Sequence, residues 1–321
     1  MKKLILNCDT GIDDAFALAY AAGQRDMELI GVVASYGMSY VGNTYRNSKY
    51  ILRLLGSQAP VYAGSEQPLS APPRDYLEAE SLFHGADGVA NLLGQYTPED
   101  LSGVQPEGGI DFIIESTRKY GKDLVLVTTG PLTDVARVLE RAPWVGDEIG
   151  GIVSMVGALA TPGNANPYME ANAALDPEAA RQALEADPPL TVVGLDITRK
   201  TLFSRKDLER WQGIKTERAA FFSGCAAHYL KAYSIKHSYL PGCALHDPLA
   251  VGVAIHPEWV QTVPIHLTCE LEGEARGRTC ENLARSSDNS PARTLGALRV
   301  DKTAFEREFF TIVESLLNAG E

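Results

Sequence analysis

The sequence predicts an α/β fold: an open, mostly parallel twisted sheet flanked by helices, with inserted helices and a small β region near the C-terminus. Short apolar, β-branched runs alternate with amphipathic stretches through the first ~200 residues, the strand–helix–strand rhythm of a parallel sheet. The runs stop on Asp, Gly or Pro, the residues that end strands. A hydrophobic fraction of 45% against 22% charged residues, over 321 residues, is enough to bury a large core.

Residues 4–6 open a strand that ends before Asp9, and 15–22 reads as the helix after it. Residues 30–34 form the next strand candidate, and 43–55 has helical spacing. The stretch 64–99 is rich in Pro, Gly, Ser and acids, which predicts a surface excursion with short helices. A helix over 110–120 leads into a strand at 124–128, stopped by Gly130 and Pro131. Helical spacing returns at 132–139, followed by strands at 152–156 and 190–193. Residues 206–232 are helical in pattern, 259–298 holds several short strand-like pieces, and 302–318 is a terminal helix. With no internal repeat and no low-complexity linker, a single domain over 1–321 is expected.

Composition excludes several functions. Lys and Arg number 29 against 41 Asp and Glu, a net charge of −12, which disfavours general nucleic-acid binding. No run approaches the ~18–20 apolar residues of a membrane span. The opening MKKLILNCDTG makes a poor export signal. Cys8, Cys225, Cys243, Cys269 and Cys280 are odd in number and include no CxxC pair, as free thiols in a reducing compartment would. A cytoplasmic location is expected.

The chemistry concentrates in Asn7-Cys8-Asp9-Thr10-Gly11-Ile12-Asp13-Asp14, where an apolar strand delivers three aspartates into a turn that opens a helix. Strand carboxyl ends are where open α/β sheets bind ligands. Clustered carboxylates repel unless a cation or proton neutralises them, and hard oxygen donors suit Ca²⁺ or Mg²⁺. Helix capping explains one aspartate, but three poorly. A phosphate-cradling loop is excluded, because only one glycine stands among these acids. A haloacid-dehalogenase-like phosphatase needs a nucleophilic Asp where Asn7 stands, so that reading fails too.

Farther along, Asp247 in Leu245-His246-Asp247-Pro248 could complete a carboxylate cage, with His246 beside it as a proton donor, or could simply start a helix. Thr129 before Gly130-Pro131 could offer a backbone carbonyl to a metal or only end a strand. Asn164, Glu170 and Asn172 gather amides and a carboxylate, as binding of sugar hydroxyls requires.

Taken in order, NCDTGIDDAFAL, FHGADG, VTTGPLTDVA, TPGNANPYMEANAALDPEAA, VGLDIT and LHDPLAV resemble the nucleoside hydrolases, the inosine–uridine-preferring N-ribohydrolases, over residues 4 to about 310. The resemblance implies a Rossmann-like core and hydrolysis of the N-glycosidic bond of ribonucleosides, releasing ribose and free base. It implies one Ca²⁺ held by Asp9, Asp14, Asp247 and the Thr129 carbonyl. Asp9 would be the base that activates a Ca²⁺-bound water, and His246 the group that assists the departing base. Asp13, Asn164, Glu170 and Asn172 correspond to ribose-binding residues, Met155 to a methionine packed near the sugar, and His84 to a pocket histidine. Partners would be the ribonucleoside and further copies of the chain, as a homodimer or homotetramer.

Three positions depart from the family pattern. Asn7 stands where an aspartate is usual, removing one negative charge. Met38 replaces an asparagine that reaches the substrate, so polar recognition there is either lost or taken over, with Asn43 the candidate. Val156, in place of a glycine, is expected to narrow the pocket. Residues 227–242 carry His228, Tyr229, Tyr233, His237 and Tyr239, rings able to stack on a nucleobase, with Tyr229 and Tyr233 sharing a helix face. Two other functions remain open: the same chemistry on an unusual N-riboside, and a non-catalytic Ca²⁺-dependent nucleoside or ribose binder.

Overall fold

The computed structural model describes residues 1–70, 82–94, 97, 102–285, 287 and 291–319. Its strands are β1 (Lys2–Cys8), β2 (Met27–Ala34), β3 (Val61–Ala63), β4 (Leu124–Thr128), β5 (Gly151–Ser154) and β6 (Leu190–Val192). There follow β7 (Leu202–Ser204), β8 (Gly242–Ala244), β9 (Val260–Pro264), β10 (Leu267–Cys269), β11 (Thr279–Glu281) and β12 (Leu295–Val300). Eight of them form one sheet in the order β3-β2-β1-β4-β5-β6-β12-β9, parallel except for the β12–β9 pair. Strand order reverses at β1, which lies between β2 and β4. That switch point leaves a crevice beyond the carboxyl ends of β1 and β4.

The helices on the N-terminal side are α1 (Ile12–Ala22), α2 (Val41–Leu54), α3 (Gly108–Tyr120), α4 (Thr133–Arg141) and α5 (Val145–Glu148). Next come α6 (Ala171–Leu175), α7 (Pro177–Glu185), α8 (Leu195–Thr198) and α9 (Arg205–Gly213). The last three are α10 (Glu217–Lys236), α11 (His246–Ile255) and α12 (Lys302–Asn318).

Both faces of the sheet are covered, and the alternation of side chains sorts each strand between two cores. From β1, Leu4, Leu6 and Cys8 enter the core built with α1 and α10–α12, whereas Ile5 enters the core on the α3–α7 side. In β4, Val125 and Val127 take the first face, and Leu124 and Leu126 the second. Helix α1 is buried from Ile12 to Ala21, and its small residues let it lie close to α11. Among the described residues, no helix is long and apolar enough to cross a membrane.

Most elements stand where the apolar pattern puts them, with their ends shifted. Helix α1 starts at Ile12 rather than at residue 15, so Asp13 and Asp14 lie within its first turn. The pattern over 206–232 is two helices, because Thr216 caps the start of α10 by accepting from the Ala219 N–H. The strand expected over 152–156 ends at Ser154. Much of the 64–99 excursion lies outside the described residues; residues 82–84 form a helical turn.

Asn7 shows why an amide serves at the end of β1. Its Nδ2 donates to Asp134 Oδ2 at 2.8 Å and to the Val33 carbonyl at 3.2 Å, while its Oδ1 accepts from Thr128 Oγ1 at 3.1 Å. Asp134, fully buried, also accepts the Ser65 N–H at 2.7 Å. An aspartate at position 7 would set a second buried carboxylate against Asp134 and lose both donated bonds. Asn7→Asp should therefore cost about 3 kcal/mol in chemical denaturation, and adding Asp134→Asn should recover most of that loss. An N7D variant as stable as the parent would refute this account.

Candidate active site

Four carboxylates meet at the crevice. Asp9 is the first residue beyond β1, Asp13 and Asp14 occupy the first turn of α1, and Asp247 the first turn of α11. All four are buried. Carboxylate oxygens of Asp13, Asp14 and Asp247 lie within 4.8 Å of one another. Every bond the structure gives these groups comes from a neutral donor. Asp9 Oδ2 accepts the Met38 N–H at 2.6 Å. Asp14 accepts from the Gly11 N–H and from Thr129 Oγ1, each at 2.7 Å, and Asp13 accepts from the Tyr229 hydroxyl at 3.1 Å. Among the described residues no Lys or Arg pairs with them. The nearest basic group, His84 Nδ1, is 3.9 Å from Asp13. It accepts the Ile12 N–H at 3.0 Å, which makes it the unprotonated ring nitrogen. Burial holds His84 down at about 4, so it supplies no positive charge near neutrality.

Burial pushes all four aspartates up, and for Asp9, Asp14 and Asp247 the neighbouring carboxylates add to it. Asp13 and Asp14 rise to about 6, and Asp9 and Asp247 well above the usual carboxylate range. Capping accounts for one oxygen of Asp14 but not for this accumulation. A floor of hard oxygen donors lacking a cation fits a divalent metal. The Thr129 carbonyl borders it and accepts from Asn172 Nδ2 at 2.7 Å, which leaves its second lone pair for another partner.

Above the floor lies a cavity of about 620 Å³, lined by the four aspartates, Thr129, His84, Met155, Asn164, Glu170, Asn172, Tyr229, Tyr233 and His246. Asn172 spends both Nδ2 hydrogens on the carbonyls of Thr129 and Met155, so only its Oδ1 remains for a ligand. Glu170 caps α6 by accepting from Asn172 N and Ala173 N, and also takes the Gly157 N–H. Burial raises its carboxyl. Asn164, exposed at the mouth, accepts from Ala171 N at 2.9 Å. His246 has both ring nitrogens engaged, Nε2 with the Tyr233 hydroxyl at 2.8 Å and Nδ1 with Thr198 Oγ1 at 2.7 Å. Burial, with Arg199 nearby, lowers it to about 3, so the ring is neutral.

The ring-rich segment divides. Tyr229, Tyr233 and His237 line the cavity, the two tyrosine rings edge-on at 4.9 Å. His228 instead bonds the Leu82 carbonyl at 3.0 Å, and Tyr239 is 67% exposed. Two expectations are corrected. Asn43 does not replace the asparagine missing at Met38: it is fully buried, donates to Ser39 Oγ and the Ala86 carbonyl, and is absent from the cavity wall. Val156 does not narrow the pocket, because it sits in the core on the α3–α7 side. Sequence reasoning also missed Phe83, whose ring meets Tyr233 edge-on at 5.7 Å and forms part of the wall. Its adjacency to His84 was the only available signal.

The sign of the pH response follows from these shifts. Asp13 and Asp14 titrate at about 6 in the folded chain against about 3.9 in an unfolded one, and burial lifts Asp9 and Asp247 in the same direction. The folded state binds those protons more tightly, so stability is lost as pH rises through the folded values. The stability that saturating divalent cation adds in denaturation, measured against the chelated protein, should therefore grow as pH rises through about 6, where these carboxyls ionise; the buried histidines contribute to both profiles and cancel in the difference. A metal-independent profile would contradict a cation-holding floor.

The family model described as inosine-uridine preferring nucleoside hydrolase matches residues 4–307. An enzyme of that description from Leishmania major is 30% identical, the alignment covering 100% of this chain and 99% of the relative. A pyrimidine-specific ribonucleoside hydrolase of Escherichia coli is 30% identical over 95% of this chain and 94% of its own. A solved purine-preferring ribonucleoside hydrolase from Gardnerella vaginalis superposes with a TM-score of 0.93 at 40% identity, covering 99% of both chains. With this match along nearly its whole length, and acidic and amide side chains gathered in one cavity, the chain belongs to the inosine–uridine preferring nucleoside hydrolase family, N-glycosyl hydrolases that split ribonucleosides into ribose and base.

Proposed function

We propose that this chain hydrolyses ribonucleosides with Ca²⁺ as its metal and Asp9 as its general base. The observation that carries the reading is the floor of four buried carboxylates, with no Lys or Arg paired to them among the described residues, beneath a wall of rings. Asp9, Asp14, Asp247 and the Thr129 carbonyl would hold the ion. Carboxylates, a carbonyl and sugar hydroxyls together suit the six to eight flexible oxygen contacts of Ca²⁺ better than the strict octahedron of Mg²⁺. When bound, Ca²⁺ supplies a Lewis acid that lowers the pKa of the attacking water and fixes its approach.

The protein's own groups supply the rest. Asp9 takes the proton from the water as it attacks C1′. Asp13, Glu170, Asn164 and the free Oδ1 of Asn172 receive the ribose hydroxyls, and Met155 packs beside the sugar. Positive charge developing on the ring in the transition state faces this carboxylate floor. Tyr229, Tyr233 and the neighbouring rings offer faces to the base. His246, neutral and flanked by two hydroxyls, hydrogen-bonds the leaving base; to protonate it, the ring must first take up a proton from solvent. The five free thiols agree with a reducing, cytoplasmic setting, and a homodimer or homotetramer is the assembly this reading carries.

Release of reducing sugar from a panel of ribonucleosides, with Ca²⁺ present, tests the reading; no turnover on any riboside would turn it toward a binder. Asp9→Ala should lower kcat at least ~10³-fold, because base and ligand go together, and near-normal activity would refute the assignment. His246→Ala should cost about 10²-fold on purine ribosides and little on a nitrophenyl riboside, whose leaving group needs no proton. Equal losses on both would remove that role.

A further inference from the structure

Strand β1 lies between β2 and β4, so the residue that follows it is flanked by the chain leaving each neighbour. Those flanking residues are glycines. A Cβ on Gly37, beyond β2, would fall 2.0 Å from Asp9 Oδ2 and 2.5 Å from its Cβ and Cγ. A Cβ on Gly130, beyond β4, would come to 3.1 Å from Oδ1 and 3.2 Å from Cβ and Cγ. Neither glycine has positive φ, so the site uses their lack of a side chain and not their backbone freedom. The Met38 N–H, next to Gly37, then fixes one oxygen of the carboxylate at 2.6 Å.

We propose that Gly37 and Gly130 are positioning residues, forming a slot that holds the Asp9 carboxylate in one orientation, with Oδ2 locked on the Met38 amide. The inference rests on the reading of Asp9 as base. The slot explains why methionine is tolerated at position 38: the contact with the catalytic group comes from the backbone, which every residue but proline supplies. It also limits the side chain's rotation, so Asp9 meets the attacking water without first searching for its rotamer. Displacing a reacting group by about 1 Å can cost 10²-fold in rate.

The two contacts predict a graded outcome. Gly37→Ala, meeting carboxylate atoms at 2.0–2.5 Å, must turn Asp9 aside; kcat at saturating Ca²⁺ and inosine should fall about 10²-fold while KM stays within about 3-fold. Gly130→Ala needs only a few tenths of an ångström and should cost several-fold in kcat. Gly213→Ala, with nothing within 4 Å of the added carbon, serves as the control and should leave kcat unchanged. A crystal structure of the metal-free Gly37→Ala protein should show Asp9 rotated off the Met38 amide. Parental kcat in folded Gly37→Ala, or an Asp9 unmoved in its crystal structure, overturns the proposal. If Gly37→Ala does not fold, Gly130→Ala decides, and parental kcat there overturns it equally. Failure of the Asp9 reading shows separately, as turnover surviving in Asp9→Ala.

Discussion

Four carboxylates buried at one point, with no Lys or Arg among the described residues to answer them, are the constraint around which the site is built. In isolation such a cluster disfavours the fold, since each group is stripped of water and repelled by its neighbours. The fold sustains it by placing partial positive charge nearby: Asp13 and Asp14 lie in the first turn of α1 and Asp247 in the first turn of α11, at the positive ends of the two helix dipoles. Half-charges at two helix ends do not cancel several full negative charges. The remainder must come from protons or from an ion, and the ion is what converts an unfavourable cluster into a reactive one.

The groups around the acids are chosen for neutrality. Tyr229, Thr129 and the amides of Gly11 and Met38 all donate without carrying charge. His84 is kept unprotonated by burial and by accepting the Ile12 N–H; His246 is buried between two hydroxyls. A lysine or arginine here would satisfy the carboxylates permanently and compete with the cation. Hydroxyls and amides orient the oxygens while leaving their charge to be used, which is the electrostatic preorganisation that catalysis at a developing positive centre needs.

How far this was legible in the sequence depends on what each feature rests on. The strands β1, β2, β4, β5 and β6 and the terminal helix at Lys302–Asn318 are written in apolar periodicity, and the structure returns them with small shifts at their ends, whereas β3, β7 and β8 are three residues long, too short to show a period. The acids were legible because three of them follow an apolar strand, a pattern with few other uses. Val156 misled because one step past Met155 reverses the face, sending the side chain into the opposite core. Asn43 misled because an asparagine's chemistry says nothing of its direction, and its amide is spent on Ser39 and Ala86. Phe83 lies in an excursion without period, where no pattern assigns a side chain to the cavity. The Met38 contact was beyond reach in principle: it belongs to a backbone N–H, and residue identity does not report it.

Floor and wall come from different parts of the architecture, yet they are not independent. The floor sits on strand ends and helix starts, the most rigid points of the sheet. The ring wall comes from α10 and the segment around Phe83, which lie outside the sheet. Three hydrogen bonds join them: Tyr229 to Asp13, Tyr233 to His246, and the α1 amide of Ile12 to His84. On the proposed reading, the first two tie a ring able to touch the base to a residue beside the sugar or the leaving group. A substitution that reshapes the base subsite at Tyr229 therefore also withdraws a donor from Asp13, and one at Tyr233 frees the ring of His246. The relatives' differing purine and pyrimidine preferences sit on a shared fold. On the proposed reading, a change of preference that spares the chemistry has its freest route through Phe83 and His237, whose rings pack on each other and on Tyr233 in the cavity wall.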